Sequence, residues 1–232
     1  AFSLFDRVVA VSEAQANWMT SRNLIERTKL VTIQSCIDLT PFQSIPAAQG
    51  PVQTFGAIGR LDRQKGFNLL IGAFRSLPDP SLRLKIIGTG PQEEVLRKLA
   101  GADTRIEFVG FCADPARAYQ GIDAVVMPSR WEAFGLVAIE ALASGRPLLC
   151  ARVDGLCDHA EHGSTYFGSF TQASLACALD DMARRARTTE DLPVQFHASQ
   201  AMERFQVAWT QIISSTLSAP KGTPTAAINA PA

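Results

Sequence analysis

Short apolar segments alternate with segments of helical spacing along most of the chain, and this alternation limits the fold more than any other sequence feature. The predicted strands are brief, apolar and bounded by Gly, Pro or charged residues: Thr54–Gly59, Leu82–Ile87, Ile106–Val109, Ala124–Met127 and Pro147–Ala151. The intervening segments predict helices: Phe67–Leu77, Pro91–Leu99, Asp114–Gln120, Leu136–Ala143, Gln172–Arg187 and Gln195–Leu217. Alternation of this kind predicts an α/β fold built on a parallel sheet.

Charge and composition argue against several classes of protein. Lys and Arg total 22 and Asp and Glu total 22, so the chain lacks the strong basic footprint of a nucleic-acid-binding protein. Hydrophobic residues at 47% and charged residues at 19% are typical of a globular domain. Apolar runs such as Ala124–Met127 fall far short of the roughly 18 residues that span a bilayer. The first residues do not resemble a secretory signal.

Cysteine and histidine usage predicts neither disulfides nor a metal site. The five cysteines are odd in number and form no Cys-x-x-Cys pair, which favours reduced thiols in a cytoplasmic protein. His159 and His162 could share a helix face, but the sequence offers no third ligand.

Composition also changes along the chain. Residues 37–50 contain Pro41 and Pro46 and no sustained period, so we interpret them as a linker. Residues 1–36 predict a short strand, a helix capped by Ser12 and a second strand. Residues 51–218 are predicted to form the principal domain, and residues 219–232, rich in Ala, Pro and Thr, are predicted to be a flexible tail.

The loops that follow the strands are the candidate sites, because an open parallel sheet binds ligands beyond the carboxyl ends of its strands. The loop from Gly59 to Gly66 contains two cations, Arg60 and Lys65. Together they suit a diphosphate, or they form a solvated charged turn.

A second loop contains two glycines, Gly88 and Gly90, that resemble the start of a dinucleotide fingerprint. Glu93 stands where the third glycine belongs, which argues against a dehydrogenase. The two glycines still permit close approach of the backbone to a ligand. No Gly-Lys-Ser or Gly-Lys-Thr occurs, which excludes a Walker-type phosphate loop.

The loop after Ala124–Met127 is the most informative. Glu132 lies in the loop, and Glu140 follows eight residues later in an otherwise apolar helix. Because a carboxylate there is costly to bury alone, Glu140 either awaits ligand hydroxyls unpaired or is satisfied by a neighbouring Arg or backbone donors. The backbone amides of residues 134–136 form a helix N-terminus that suits an anion. A molecule with both phosphates and vicinal hydroxyls is a sugar nucleotide.

Four segments occur in the order and approximate spacing of a known family: Arg60-Leu61-x-x-Gln64-Lys65-Gly66, Ile87-Gly88-x-Gly90-Pro91, Phe108-Val109-Gly110-Phe111 and Pro128-Ser129-x-x-Glu132-Ala133-Phe134-Gly135-Leu136-x-x-x-Glu140-Ala141. From about Phe5 to Leu217 the chain resembles the C-terminal, donor-binding half of glycosyltransferase family 4. These are retaining enzymes of the GT-B architecture, with two facing Rossmann-like domains. The resemblance implies a Rossmann-like parallel sheet with helices on both faces.

The resemblance also implies roles for the matched residues. Arg60 and Lys65 hold the donor diphosphate and stabilise the leaving nucleotide, and Glu132 binds hydroxyls of the donor sugar, so these three are the candidate catalytic residues. Glu140 binds the ribose. The other implied donor-binding residues lie in the loops: Gly59, Gly88, Gly90, Val109, Phe111, Phe134, Gly135 and Leu136. Neither a metal nor a cofactor is implied, and the nucleotide-diphosphate sugar is a substrate.

Three segments depart from the family pattern: Ser35-Cys36-Ile37-Asp38, Asp154-Gly155-Leu156-Cys157-Asp158 and Tyr166-Phe167-Gly168. The departures concern the sugar-facing details that the resemblance implies, and not the implied nucleotide site. Family members also have an N-terminal acceptor domain, and residues 1–36 are expected to be a remnant of its end. The chain is therefore expected to be either a fragment or a stand-alone donor-binding module.

The implied function is transfer of a sugar, with retention, from a nucleotide-diphosphate sugar to a sugar, glycan or lipid-linked acceptor. The expected setting is glycan or cell-surface polysaccharide synthesis in the cytoplasm or at the inner face of the membrane. Membrane contact would be made by the N-terminal domain. Three alternatives stay open: a non-catalytic nucleotide-sugar-binding module, a sugar-nucleotide epimerase and a glycogen-type synthase.

Overall fold

The computed structural model describes residues 2, 4–48, 50–162, 164–185 and 198–218. The predicted tail and parts of the last two predicted helices, residues 186–187 and 195–197, lie outside the described residues. The described strands are β1 (Val8–Ala10), β2 (Leu30–Thr32), β3 (Thr54–Ile58), β4 (Arg83–Ile87), β5 (Ile106–Gly110), β6 (Ala124–Met127), β7 (Leu148–Cys150) and β8 (Thr165–Tyr166). The described α-helices are α1 (Glu13–Ser21), α2 (Thr40–Gln43), α3 (Phe67–Arg75), α4 (Glu93–Ala100), α5 (Leu136–Ala143), α6 (Gln172–Arg184) and α7 (Ala198–Ser218).

The main sheet is parallel, in the order β5-β4-β3-β6-β7-β8. Phe55 of β3 lies opposite Leu84 of β4 on one side and Ala124 of β6 on the other. The chain therefore runs outward from β3 to β5, returns to the centre at β6 and runs outward in the other direction. The crevice beyond the carboxyl ends of β3 and β6 is the switch point at which such sheets bind ligands.

Apolar residues cover both faces of this sheet. All of β6 is buried, and its successive side chains point to opposite faces. Val125 packs in one cluster with Phe42 of α2 and Ile139 of α5. Val126 packs in the other with Phe74 of α3 and, from α6, Leu175. The predicted parallel sheet with helices on both faces is confirmed.

Residues 8–32 contain a two-stranded sheet and the helix α1, apart from the main sheet. β1 and β2 pair in parallel, and the Ser12 hydroxyl accepts a hydrogen bond from the Gln15 amide at 3.1 Å, which confirms the predicted helix cap. Asp158 Oδ2 accepts from the Glu13 amide at 2.9 Å and from Gln34 Nε2 at 3.4 Å. These contacts tie a two-stranded sheet, which is marginal in isolation, to the main domain.

The predicted helix Asp114–Gln120 is wrong in type and length. The structure forms a single 3-10 turn there, Ala116–Tyr119. Pro115 precedes this turn, and Gly121, with φ of +69°, follows it closely, so the turn cannot be extended into a regular helix in either direction.

Several other local elements were not predicted from the sequence. The predicted linker contains α2, in which Pro41 occupies the first turn and Asp38 Oδ1 accepts from the Thr40 amide at 2.9 Å. The 3-10 segment Asp154–His162 and β8 follow no helical or strand period. None of the described helices has the length and apolar character needed to cross a bilayer. The five cysteines form no disulfide.

Candidate functional site

The loops after β3, β4 and β5 meet at the carboxyl edge of the sheet around a cavity of about 520 Å³, which α5 also borders. Its lining includes six of the predicted site residues: Gly59, Arg60, Gly88, Gly90, Phe111 and Glu140. These residues come from four separate segments of the chain. The fold therefore brings these six candidate residues together at the switch point.

The cavity glycines allow neighbouring loops to touch. Gly88 has φ of +136°, and a Cβ there would lie 2.0 Å from the carbonyl oxygen of Gly59. A Cβ on Gly90 would lie 2.5 Å from the carbonyl oxygen of Leu61, whose amide donates to Thr89 at 2.9 Å. The sequence predicted that these glycines admit a ligand, but their immediate neighbour is the backbone of the adjacent loop.

Lys65 and Glu132 form an ion pair beside this cavity. Lys65 Nζ lies 2.6 Å from Glu132 Oε2, and the two side chains are only 17% and 12% exposed. The Lys65 stem passes Gly59, since a Cβ there would lie 3.3 Å from Lys65 Cε. The sequence predicted both groups as ligand-binding, and the structure also makes them partners of each other.

Arg60 is held much more loosely. Its side chain is 72% exposed, and its Nε lies 3.7 Å from Asp62 Oδ2. An exposed pair of this kind contributes little to stability, so the guanidinium is free to reorient toward an anion in the cavity.

The Glu132 loop is fixed by the loop after β7. Asp154 Oδ2 accepts from the Glu132 amide at 3.2 Å, and the Gly155 amide donates to the Glu132 carbonyl at 2.9 Å. A Cβ on Gly155 would lie 2.1 Å from the carbonyl oxygen of Ala133. Asp154 has φ of +37°, an uncommon conformation for a residue with a side chain. Both residues belong to a segment that departs from the family pattern. The sequence therefore singles out this segment, but it does not indicate that Asp154 and Gly155 hold the Glu132 loop.

The turn into α5 places the predicted anion-binding amides. Gly135 caps the helix with φ of +91°, which favours glycine, and Leu136 follows with 39% exposure. Phe134 is buried against the imidazole of His159, with ring centroids 4.8 Å apart. His159 Nε2 lies 2.8 Å from the Phe134 carbonyl oxygen, which can only accept, so Nε2 carries the proton in this contact. A lone histidine carries no sequence signal for this role.

Glu140 has a partner that the sequence did not indicate. The Tyr119 hydroxyl donates to Glu140 Oε2 at 2.6 Å. The expectation of an unpaired carboxylate is therefore wrong, and so are the alternatives of an arginine or backbone donors as its partner. Burial raises the pKa of Glu140, and the Tyr119 hydrogen bond partly opposes that rise.

The two predicted base contacts differ in position. Phe111 is 76% exposed and lines the cavity, whereas Val109, 46% exposed on β5, lies outside its wall. An exposed aromatic ring at the rim suits stacking against a planar base. Phe111 is therefore the better placed of the two.

A second cavity, of about 370 Å³, lies between residues 32–36, the start of α5 and α7. It includes Phe134 and His159 and shares no lining residue with the first. Within the part of the chain that the structure describes, no group of three or more His, Cys, Asp or Glu side chains is placed to hold a metal ion.

The family model described as glycosyl transferases group 1 matches residues 43–192, well over half of the chain. A D-inositol 3-phosphate glycosyltransferase of Pseudarthrobacter chlorophenolicus is 42% identical over 119 residues, which cover 46% of this chain and 28% of the relative. The granule-bound starch synthase 1 of Pisum sativum is 30% identical over 181 residues, which cover 75% of this chain and 28% of the relative. The chain spans less than half the length of these relatives.

Solved structures share the fold. Anabaena HepE in complex with UDP-glucose has a TM-score of 0.75 at 24% identity, over 94% of this chain and 65% of that one. A mutant of S. aureus TarM, in complex with Fondaparinux, alpha-GlcNAc-glycerol and UDP, has a TM-score of 0.75 at 19% identity, over 91% of this chain and 44% of that one. The described domain is therefore the α/β, Rossmann-like domain found in GT-B glycosyltransferases.

Proposed function

The chain belongs to the glycosyl transferases group 1 family, and on that premise we propose that it is the donor-binding part of a retaining, family 4 glycosyltransferase. Its ligand is a nucleoside diphosphate sugar. The observation that carries the proposal is the switch-point cavity, in which a cation, two glycine loops and a carboxylate surround about 520 Å³. That volume lies in the range of small-molecule sites.

The residues that line the cavity, together with Lys65 and residues 134–136 outside its lining, suit the parts of such a donor in sequence. The base stacks on Phe111 at the rim, and Glu140 accepts hydrogen bonds from the ribose hydroxyls. The diphosphate lies between Arg60, Lys65 and the amides of residues 134–136 at the start of α5.

Donor binding exchanges the Lys65–Glu132 ion pair for contacts with the ligand. Lys65 Nζ turns to the diphosphate, and Glu132 then accepts from hydroxyls of the sugar. The 2.6 Å pair keeps both side chains ordered and close to the cavity before the exchange. The hydrogen bonds of Asp154 and Gly155 hold the Glu132 backbone in place during this exchange.

The proposed transfer breaks the bond between the anomeric carbon and the phosphate oxygen. A new bond forms from the anomeric carbon to an acceptor hydroxyl oxygen on the same face of the sugar. The leaving phosphate takes the acceptor proton, so no protein nucleophile takes part. Arg60 and Lys65 stabilise the charge that develops on the leaving diphosphate, without a metal ion or a cofactor.

The acceptor in this proposal is a hydroxyl of a sugar, a glycan or a lipid-linked glycan, in polysaccharide synthesis. A glycogen-type glucan synthase is a second candidate, favoured by the match to the Pisum sativum starch synthase over 75% of the chain. Binding tests separate the two only in part, because both use a nucleoside diphosphate sugar. Product analysis with glucan and lipid-linked acceptors, on a protein that also contains an acceptor domain, distinguishes them.

Titration calorimetry on the chain tests donor binding directly. The ligands are UDP, GDP and ADP, their glucose conjugates and the three free nucleosides, each with and without EDTA. We expect at least one diphosphate to bind, its nucleoside to bind far more weakly, and EDTA to change neither. Failure of every diphosphate to bind at millimolar concentration would overturn the donor site, and loss of binding in EDTA would overturn metal independence.

A further inference from the structure

Tyr119 is a buried polar residue to which the proposed transfer assigns no part. Its side chain has no solvent exposure, and its ring packs edge-on against Phe42, with centroids 5.4 Å apart at 85°. The hydroxyl lies 2.6 Å from Glu140 Oε2 and 3.4 Å from the Val137 carbonyl oxygen. A hydroxyl has one proton, so the shorter contact to the carboxylate takes it.

The contact restricts a side chain that the helix alone leaves mobile. Glu140 is half-buried on α5 and lines the switch-point cavity. With Oε2 held by a hydroxyl whose ring is locked in the core, the carboxylate plane is fixed. The other oxygen, Oε1, is then available to a ligand.

We propose that Tyr119 is a positioning residue: its hydroxyl fixes one oxygen of Glu140 so that the other meets the vicinal hydroxyls of the ribose. This inference rests on the ribose role proposed above for Glu140. On this inference, Tyr119 of the 3-10 turn and Glu140 of α5 together discriminate between ribose and deoxyribose.

Tyr119 also favours the ionised form of Glu140. Burial raises the pKa of Glu140, and the hydrogen bond from Tyr119 lowers it. Arg60 and Cys112 line the same cavity, and Arg146 acts electrostatically on Tyr119. Removing the hydroxyl removes the lowering contribution, so the pKa of Glu140 rises further. Ribose binding is lost as the pH falls through that pKa, and in Tyr119→Phe the loss begins at a higher pH.

The test compares Tyr119→Phe with Glu140→Gln, with the double variant and with a matched control, Tyr166→Phe. The control removes a tyrosine hydroxyl that donates to the Leu156 carbonyl at 2.8 Å, away from the cavity lining. Calorimetry from pH 5 to 8 uses the tightest binder among UDP, GDP and ADP, and its 2′-deoxy counterpart. The carboxyl carbon resonance of Glu140, assigned by its loss in Glu140→Gln, reports the pKa without ligand.

In Tyr119→Phe we expect the preference for ribose over deoxyribose to shrink about fivefold at pH 7, the equivalent of one net hydrogen bond. The pKa of Glu140 should rise, the control should behave as wild type, and the double variant should lose no more than Glu140→Gln. The ring is kept, so the melting temperature of Tyr119→Phe reports whether the core survives.

Two outcomes overturn the inference. One is a Tyr119→Phe chain whose preference and Glu140 pKa match wild type, and the other is equal weakening of ribose and deoxyribose ligands. Either outcome leaves the proposed function intact if Glu140→Gln still loses the preference. A wild-type chain that does not distinguish the two ligands contradicts the ribose role of Glu140 itself.

Discussion

The Lys65–Glu132 ion pair allows the construction of the site to be tested quantitatively, with Lys65→Met and Glu132→Gln made singly and together. At the N···O distance of 2.6 Å and an effective dielectric constant of about 20, the two charges attract by about 6 kcal/mol. The side chains are only 17% and 12% exposed, so desolvation cancels most of that attraction. The expected coupling energy between the two substitutions is about 1–3 kcal/mol.

Each single substitution leaves a mostly buried charge without its partner. We therefore expect each to lower the free energy of unfolding by about 2–3 kcal/mol, and the double variant to lose less than the sum. Urea unfolding at pH 7 measures the cycle.

The Glu94–Lys98 pair of α4 is the matched control. Its N···O distance is also 2.6 Å, but its side chains are 80% and 75% exposed, so its coupling should be close to zero. A Lys65–Glu132 coupling no larger than that of the control would refute the inference that a buried, mutually dependent pair borders the cavity.

The remaining predictions concern charge, pH and backbone fit. Arg60→Ala should weaken nucleoside diphosphate binding by about 1.5–3 kcal/mol and hardly affect the free nucleoside, as calorimetry can check. Burial raises the pKa of Glu140 in the folded chain above its value in the unfolded chain, so the free energy of unfolding falls as the pH rises through the folded-state pKa. Glu140→Gln should abolish that fall, and its melting temperature at pH 8 should equal or exceed that of wild type. A melting temperature many degrees lower would instead indicate a stranded buried partner. Gly88→Ala, whose Cβ would lie 2.0 Å from a carbonyl oxygen, should lower the melting temperature more than Gly110→Ala, whose Cβ meets open space at φ of +85°; equal losses would show that backbone conformation alone matters.

The parallel sheet was predictable because its strands carry their own signal. β6 is apolar and buried throughout, and helices of clear apolar period separate the strands. Some short elements were not predictable, since α2, β8 and the 3-10 turn Ala116–Tyr119 contain too few residues to express a period. Tertiary contacts decide such segments, as the packing of Phe42 in α2 on Tyr119 illustrates.

The convergence of the candidate loops at one edge could be predicted, but the pairing of their side chains could not. Topology alone brings the loops after parallel strands to one edge. Lys65 and Glu132 are 67 residues apart in sequence, and Tyr119 and Glu140 are 21 apart. Which side chains meet depends on how these loops cross the edge, and no local pattern encodes that. Gly88 and Gly90 likewise resembled ligand-contact glycines in sequence, although the adjacent loop is their immediate neighbour.

The central claim is that the switch-point cavity, and not the cavity beside α7, binds the nucleotide. Two-dimensional amide NMR of the labelled chain, titrated with the tightest of UDP, GDP and ADP, tests it most directly. We expect shift changes to cluster at residues 59–66, 88–91, 111–112 and 132–140, to which the diphosphate, base and ribose contacts are assigned in the proposed function. Changes confined to residues 32–36 and α7, around the second cavity, would contradict it.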